Sequence, residues 1–530
     1  MSQGVLPYQY QGQMRESGMT ALGGLPVYLD LAQVSGLSQS IRRHVRVREG
    51  SQGWTDAQMV TSLILLQLAG GECVDDLRIL EGDEGFGRLL RRVEWHGLGR
   101  RARRELERRW RKDRSRCVPS PSSAFRYLAS FHDPSQEVLR EAGKAFLPVP
   151  NGALRGLGMV NRDLVGFVQG RHPVSTATLD MDATLVETQK KEALFCYEHY
   201  RAYQPLSVYW SEQGVVAHTE FRDGNVPANH DLMRVLEETL TGLPEGVEEV
   251  FFRSDAAGYR EDLLRYCAKG TNERFGVIGF AVGAPVSLEF KKAVSEVEES
   301  EWRPLFRERG GRREETDQEF AEVCFVPRFA GYSKKDPSYR FLAIRERFSV
   351  QLGLPDLEAQ RDLPFPTMEM GGCPYKGFGI VTNRDLDGEE LIRWYRGRCG
   401  KGEEMHGVLK EDLAGGKLPS GSFGENAAWW WITVLSFNLN AAMKRLVLGN
   451  EWVPKRLKAI RFALIHLPGR VVEHARKLIV WVSGRHPSLS LLLRARSMIA
   501  LSGTLGNPSV QGRAVDFGIT LPLTPFLPPA

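Results

Sequence analysis

Apolar residues in the first third of the chain recur at helical spacing. Met59, Val60, Leu63, Ile64, Leu66 and Leu68 follow the 3.6-residue period. The capping-box pattern Thr55-Asp-Ala-Gln58 precedes them and Gly70-Gly71 follows, so an amphipathic helix is predicted between these signals. A basic segment from Arg100 to Lys112 breaks at Val118-Pro119-Ser120-Pro121, and Ser122 is a candidate cap for a second helix through Phe131. The spacing is loosely that of a helix-turn-helix.

From about residue 175 the pattern becomes β-like, with runs at Thr176-Asp182, Leu206-Ser211 and Val215-Phe221. Asn229 is placed to cap a helix over Leu232-Leu243. Glu249-Ser254 reads as a buried strand, Gly258-Lys269 as a helix and Phe275-Ala281 as a strand. Three strands, helix, strand, helix, strand is the order of a mixed α/β sheet of the RNase H-like kind. Residues 284–372 fit this order poorly. They combine a charged helical stretch (Glu296-Arg313) with strand-like pieces at Glu322-Val326 and Tyr339-Arg345, and read as an insertion. Tyr375-Asn383 resumes as a strand, and Asp387 with Glu390 can cap the helix that carries Leu391, Ile392, Trp394 and Tyr395. The resulting division is a helical N-terminal DNA-binding region (1–165), a first catalytic part (175–283), the insertion (284–372), a second catalytic part with C-terminal helices (373–505) and a loose Pro-rich tail (506–530).

Composition excludes little. Seventy Lys+Arg against 65 Asp+Glu leave a formal charge of only +5, but the charge is uneven. Between Arg100 and Arg116 stand ten Lys/Arg and three Asp/Glu, an excess suited either to a phosphate backbone or to a solvated helix face. The seven cysteines form no C-x-x-C pair, which argues against a disulfide framework or a structural zinc. The N-terminus lacks the order of a secretion signal, and the most apolar stretch, Ala427 to Leu439, is too short to span a bilayer and reads as a core helix. The expectation is a soluble protein of a reducing cytoplasm, without a membrane partner. The motifs of P-loop nucleotide hydrolysis, zinc proteolysis and elbow-type serine hydrolysis are missing.

Two acids stand where open α/β sheets place their sites, at strand carboxyl ends. Asp182 ends the first strand, in LDMDAT; Asp255 follows EVFFRS, ahead of Ala-Ala-Gly. Either could instead be a helix N-cap. Asp180, two residues before Asp182, shares its face of the strand and stays a candidate. A third acid lies in WYRGRCGKGEEMHGVLKED, where Glu403 and Lys410 are seven residues apart and share a helix face; Glu404 is the alternative, and an exposed charged helix is the bland reading. Three carboxylates without Cys or His suit hard ions such as Mg²⁺, with Mn²⁺ as a substitute. Two such ions about 4 Å apart would activate a water or a 3′-hydroxyl and stabilise the leaving oxygen of a phosphodiester. Trp429-Trp430-Trp431 reads as core, and His199 and His406 as structural or surface groups.

These residues resemble those of bacterial insertion-sequence DDE transposases with a Tyr-Arg-Glu-Lys signature, most nearly the insertion-sequence thirteen-eighty group. LDMDAT, RAYQPL with FRDGN, RSDAAGY and the Tyr395-to-Lys410 segment carry the resemblance, which covers most of residues 20–500. It implies that Asp182, Asp255 and Glu403 are catalytic and bind two metal ions, and that Tyr395, Arg398 and Lys410 contact transposon-end DNA. It further implies cleavage at inverted ends, joining of 3′ ends to target DNA, a homodimer assembled on double-stranded DNA, and a nucleoid-associated place in a bacterial cytoplasm. One departure is visible: four residues separate Arg398 from Glu403, where the signature has three. The competing readings are a DNA-binding protein of transposase descent that no longer cuts, and a hydrolase using paired carboxylates as acid and base.

Overall fold

The computed structural model describes residues 2–3, 9–10, 17–48, 53–109, 116–141, 143–309, 311–329, 337–347, 367–370, 373–475 and 477–504. The tail assigned to 506–530 and the basic residues 110–115 lie outside these.

Helix α1 (Asp56–Ala69) forms between the signals named for it. The Thr55 hydroxyl accepts the Gln58 amide, the Gln58 side chain accepts the Thr55 amide, and Gly70 closes the helix at φ 98°. The basic stretch gives α2 (Arg100–Arg109), largely exposed. In α3 (Pro121–Ala129) the cap is Ser120 rather than Ser122, because Pro121 occupies the first helical position, where its missing N–H costs nothing. A long helix, α4 (Gly152–Arg171), leads into the sheet.

The strands are β1 (Thr176–Ala183), β2 (Leu206–Trp210) and β3 (Val215–Glu220), followed by α5 (Leu232–Gly242), β4 (Glu249–Ser254), α6 (Glu261–Lys269) and β5 (Gly279–Ala284). The N-cap of α5 is Asp231 in left-handed conformation, without a side-chain bond, rather than Asn229. A short 3-10 turn, Ala256–Gly258, separates β4 from α6. β1 pairs antiparallel with β2 and parallel with β4, and β4 pairs parallel with β5. The order β3-β2-β1-β4-β5 is the mixed α/β arrangement of an RNase H-like core.

The segment read as an insertion continues this sheet. β6 (Arg303–Arg309) and β7 (Arg312–Val323) form a hairpin, β8 (Arg340–Arg347) pairs with β7, and β9 (Thr367–Met370) and β10 (Cys373–Thr382) follow. β10 sits between β8 and β5, giving ten strands in one sheet. The charged helix expected over Glu296-Arg313 is instead mainly strand. In RREETDQEFAEV both faces carry charge because much of the hairpin is solvated, so a two-residue alternation is hidden.

Helices α7 (Gly388–Arg396), α8 (Lys401–Gly407) and α9 (Phe423–Ala442) follow, and the C-terminal region expected to be helical also contains a hairpin, Gly469–His474 with Lys477–Val482, that pairs with Met19–Thr20 ahead of a last helix over Leu489–Thr504. Asp387 caps α7 by accepting the Glu389 amide at 2.9 Å. In α9 every residue but Glu425 is buried. Its polar groups are spent on neighbours: Asn438 accepts the Val216 amide of β3 at 2.8 Å, and Ser436 donates to Gln67 of α1 at 2.8 Å. The Trp430 indole donates to Thr219 at 3.0 Å, and Trp429 to the Ala414 carbonyl at 2.9 Å. The three tryptophans are thus core, as their surroundings in the sequence suggested.

Candidate active site

Parallel pairing of β1 with β4 sets Met181 opposite Ser254, so Asp182 and Asp255 leave neighbouring strands at the same end. Asp255 takes up the turn after β4: its Oδ1 accepts the Ala257 amide at 3.0 Å. Gly283, on adjacent β5, makes room, since a Cβ there would meet the Ala256 nitrogen at 2.9 Å and the Tyr395 hydroxyl at 3.1 Å.

Crowding by protein, and then the negative charge of Asp182, push the Asp255 carboxyl above its ordinary range; the Ala257 amide and the Arg398 guanidinium pull the other way. Arg398 follows α7 and places Nη2 3.7 Å from Asp182 Oδ1. Its charge is held firmly despite burial by Tyr395, Asp182 and Asp255. The Tyr395 ring lies 5.9 Å from the Arg398 guanidinium, and burial raises its phenol above the usual value.

Asp180 has another task. Although it shares the parity of Asp182, it is buried against Arg253 of β4, with Oδ1 2.6 Å from Nε and Oδ2 2.8 Å from Nη2. Arg253 also donates to the Trp394 carbonyl, which straps α7 to the sheet and so fixes the helix that delivers Tyr395 and Arg398.

Helix α8 meets Asp182 with one face. A Cβ on Gly402 would lie 3.7 Å from Asp182 Oδ2, and His406, one turn on, has Nε2 3.5 Å from the same oxygen. At 100° per residue Glu403 stands about a quarter turn from that face and Glu404 about a half turn. Glu404 lines a cavity of about 250 Å³ with Tyr209, Lys444 and Arg445. Glu403 is exposed. Among the described residues, no three acidic, His or Cys side chains converge at metal-binding distance. After Gly407 the helix widens into a π turn, Val408–Asp412, so the simple seven-residue phase between Glu403 and Lys410 is altered; the Lys410 ammonium donates to the Leu185 carbonyl at 3.3 Å.

The structure therefore brings together Asp182, Asp255, Arg398 and Tyr395, with Lys410 held at Leu185, three residues beyond Asp182, whereas among the described residues the Glu403 carboxylate is not brought into contact with the two aspartates. It adds His406, read from sequence as structural or surface. The available signal was its spacing from Gly402, which places both on one helix face. The RAYQPL and FRDGN segments act in the frame: Arg222 is buried with Glu220, Asp223 pairs with Arg140, and Tyr203 packs on Phe221.

The chain matches the description Transposase DDE domain group 1 over residues 9–325 and 368–504. It belongs to the DDE transposase family. No curated protein matches it. Among solved structures, the cryo-EM piggyBac transposase synaptic complex with hairpin DNA is similar at a TM-score of 0.41 and 11% identity, covering 93% of this chain and 83% of that one. DDE transposases use divalent metal ions. The donor set here suits such an ion: the Asp182 and Asp255 carboxylates are close enough to repel one another, and Arg398 and His406 stand 3.7 and 3.5 Å from the Asp182 oxygens, beyond ordinary hydrogen-bond distance.

Proposed function

We propose that this transposase binds the inverted ends of an insertion sequence of the thirteen-eighty group, cleaves them by metal-dependent phosphodiester hydrolysis, and joins the 3′ ends to target DNA. The observation that carries the reading is the facing pair Asp182 and Asp255 at adjacent strand ends of an RNase H-ordered sheet.

In this reading Asp182, Asp255 and Glu403 hold two Mg²⁺ ions, with Mn²⁺ able to substitute. The lean of Glu404 toward Lys444 and Tyr209 supports Glu403 as the third acid. When bound, the ions activate the attacking oxygen and neutralise charge on the scissile phosphate. Asp182 and Asp255 supply hard ligands whose repulsion an ion relieves. Arg398 keeps its charge beside them and, with Tyr395 and Lys410, contacts the phosphates of the transposon end. Helix α2 gives a sequence-independent grip on the backbone. The protein works as a homodimer on two ends, in the bacterial cytoplasm.

The test is cleavage of DNA carrying the inverted repeats that flank the gene, with Mg²⁺ or Mn²⁺. Asp182→Ala and Asp255→Ala should abolish nicking while leaving end binding. Retained cleavage in either variant refutes the assignment. Binding without nicking by the natural chain would leave a DNA-binding protein of transposase descent.

A further inference from the structure

His406 is only 6% exposed, and neither ring nitrogen has a hydrogen-bond partner. A buried imidazole with both nitrogens unmet is an expensive arrangement, and folds retain such groups where they have work to do. Its Nε2 is 3.5 Å from Asp182 Oδ2, while Arg398 Nη2 is 3.7 Å from Oδ1. The carboxylate is bracketed by two donors, each a few tenths of an ångström beyond the roughly 2.7–3.2 Å of an N–H···O bond. Gly402, one turn before the ring, lies on the same helix face, where a Cβ would stand 3.7 Å from the same Asp182 oxygen, an ordinary contact.

We propose that His406 is a positioning residue for Asp182: its Nε2–H donates to Oδ2 and turns the carboxylate so that its remaining lone pairs face the divalent ion. The proposal rests on the metal-dependent reading above. An ionised carboxylate only accepts, so Nε2 must carry the hydrogen. The contact would tighten once an ion fixed Asp182, as catalytic hydrogen bonds that are long in a free enzyme do in its complexes.

The test is Mn²⁺ titration of the full chain, read from the paramagnetic resonance signal of the free ion, with melting in EDTA as the folding control. His406→Leu should weaken Mn²⁺ binding about tenfold at unchanged melting, whereas His406→Gln, which keeps an N–H, should stay within about threefold. If the leucine variant melts early, His406→Phe replaces it with a shape closer to imidazole. Unchanged affinity in the variant lacking a donor overturns the proposal. So does a directly bonded nitrogen in the hyperfine spectrum of bound Mn²⁺, which would put the ring on the ion rather than on Asp182. If the natural chain binds no Mn²⁺, or if Asp182→Ala binds it equally well, the metal reading itself fails, and the proposal with it.

Discussion

Replacing Asp180 by alanine strands a guanidinium in the core. Arg253 and Asp180 are each 4% exposed at the side chain and meet through two bonds of 2.6 and 2.8 Å. Removing one member of such a pair costs about 3–5 kcal/mol, because the other charge stays buried without its counter-ion. Arg253 would keep the Ser211 hydroxyl at 3.1 Å, the Trp394 carbonyl and the Trp394 ring at 5.1 Å. These remaining partners place the expected loss near the lower end, about 3 kcal/mol. Asp182→Ala, two residues away, removes a partly open carboxylate whose nearest basic neighbours are 3.5 and 3.7 Å off, and should change stability by no more than about 0.5 kcal/mol. Urea unfolding followed by tryptophan fluorescence measures both. The double variant Asp180→Leu/Arg253→Met should recover most of the loss, since apolar groups of similar size can replace a buried pair. The reasoning is refuted if Asp180→Ala costs less than about 1 kcal/mol, or no more than Asp182→Ala.

Further outcomes can be checked. Because the Asp255 carboxyl is raised in the folded chain, ionising it disfavours folding: its favourable contribution is full below the ordinary aspartate value, near 3.9, and is lost as pH rises through the folded value. In EDTA, Asp255→Asn should therefore melt higher than the natural chain at pH 7, by a margin that shrinks toward pH 4; a constant or growing margin contradicts the shift. Gly283→Ala should cost about 1–3 kcal/mol and most of the cleavage activity, by pushing its Cβ into the Ala256 amide and Tyr395; an active variant with natural melting would show that the turn has slack. Neutralising Arg100, Arg101, Arg103 and Arg104 with glutamine should flatten the slope of log affinity against log salt by up to about 0.9 per lost phosphate contact, and an unchanged slope removes α2 from the DNA grip.

What the sequence revealed depended on whether local pattern and tertiary environment agreed. EVFFRS-Asp255 combines a buried strand and a small-residue turn, and β4 occupies the residues expected of it. Asp180 and Asp182 could not be told apart by parity, since the deciding fact is a guanidinium from another strand. β6 and β7 were hidden because a solvated hairpin need not alternate in polarity. Likewise, the helical phase from Glu403 to Lys410 was sound until the π turn, which no residue in the segment announces.

Helix α9 also sets an order of events during synthesis. It bonds to Gln67 of α1, to Asn161 of α4 and to Val216 of β3, and one apolar cluster runs from Leu22 to Ile499. At about 5–20 residues per second, α1 leaves the ribosome roughly 20–70 s before the residues it must enclose. Until then it has the neighbouring helices Leu37–His44 and Leu77–Gly82 to pack on, and the face that meets α9 is uncovered. Fragments ending before residue 423 should therefore accumulate as aggregates rather than as independently folded halves.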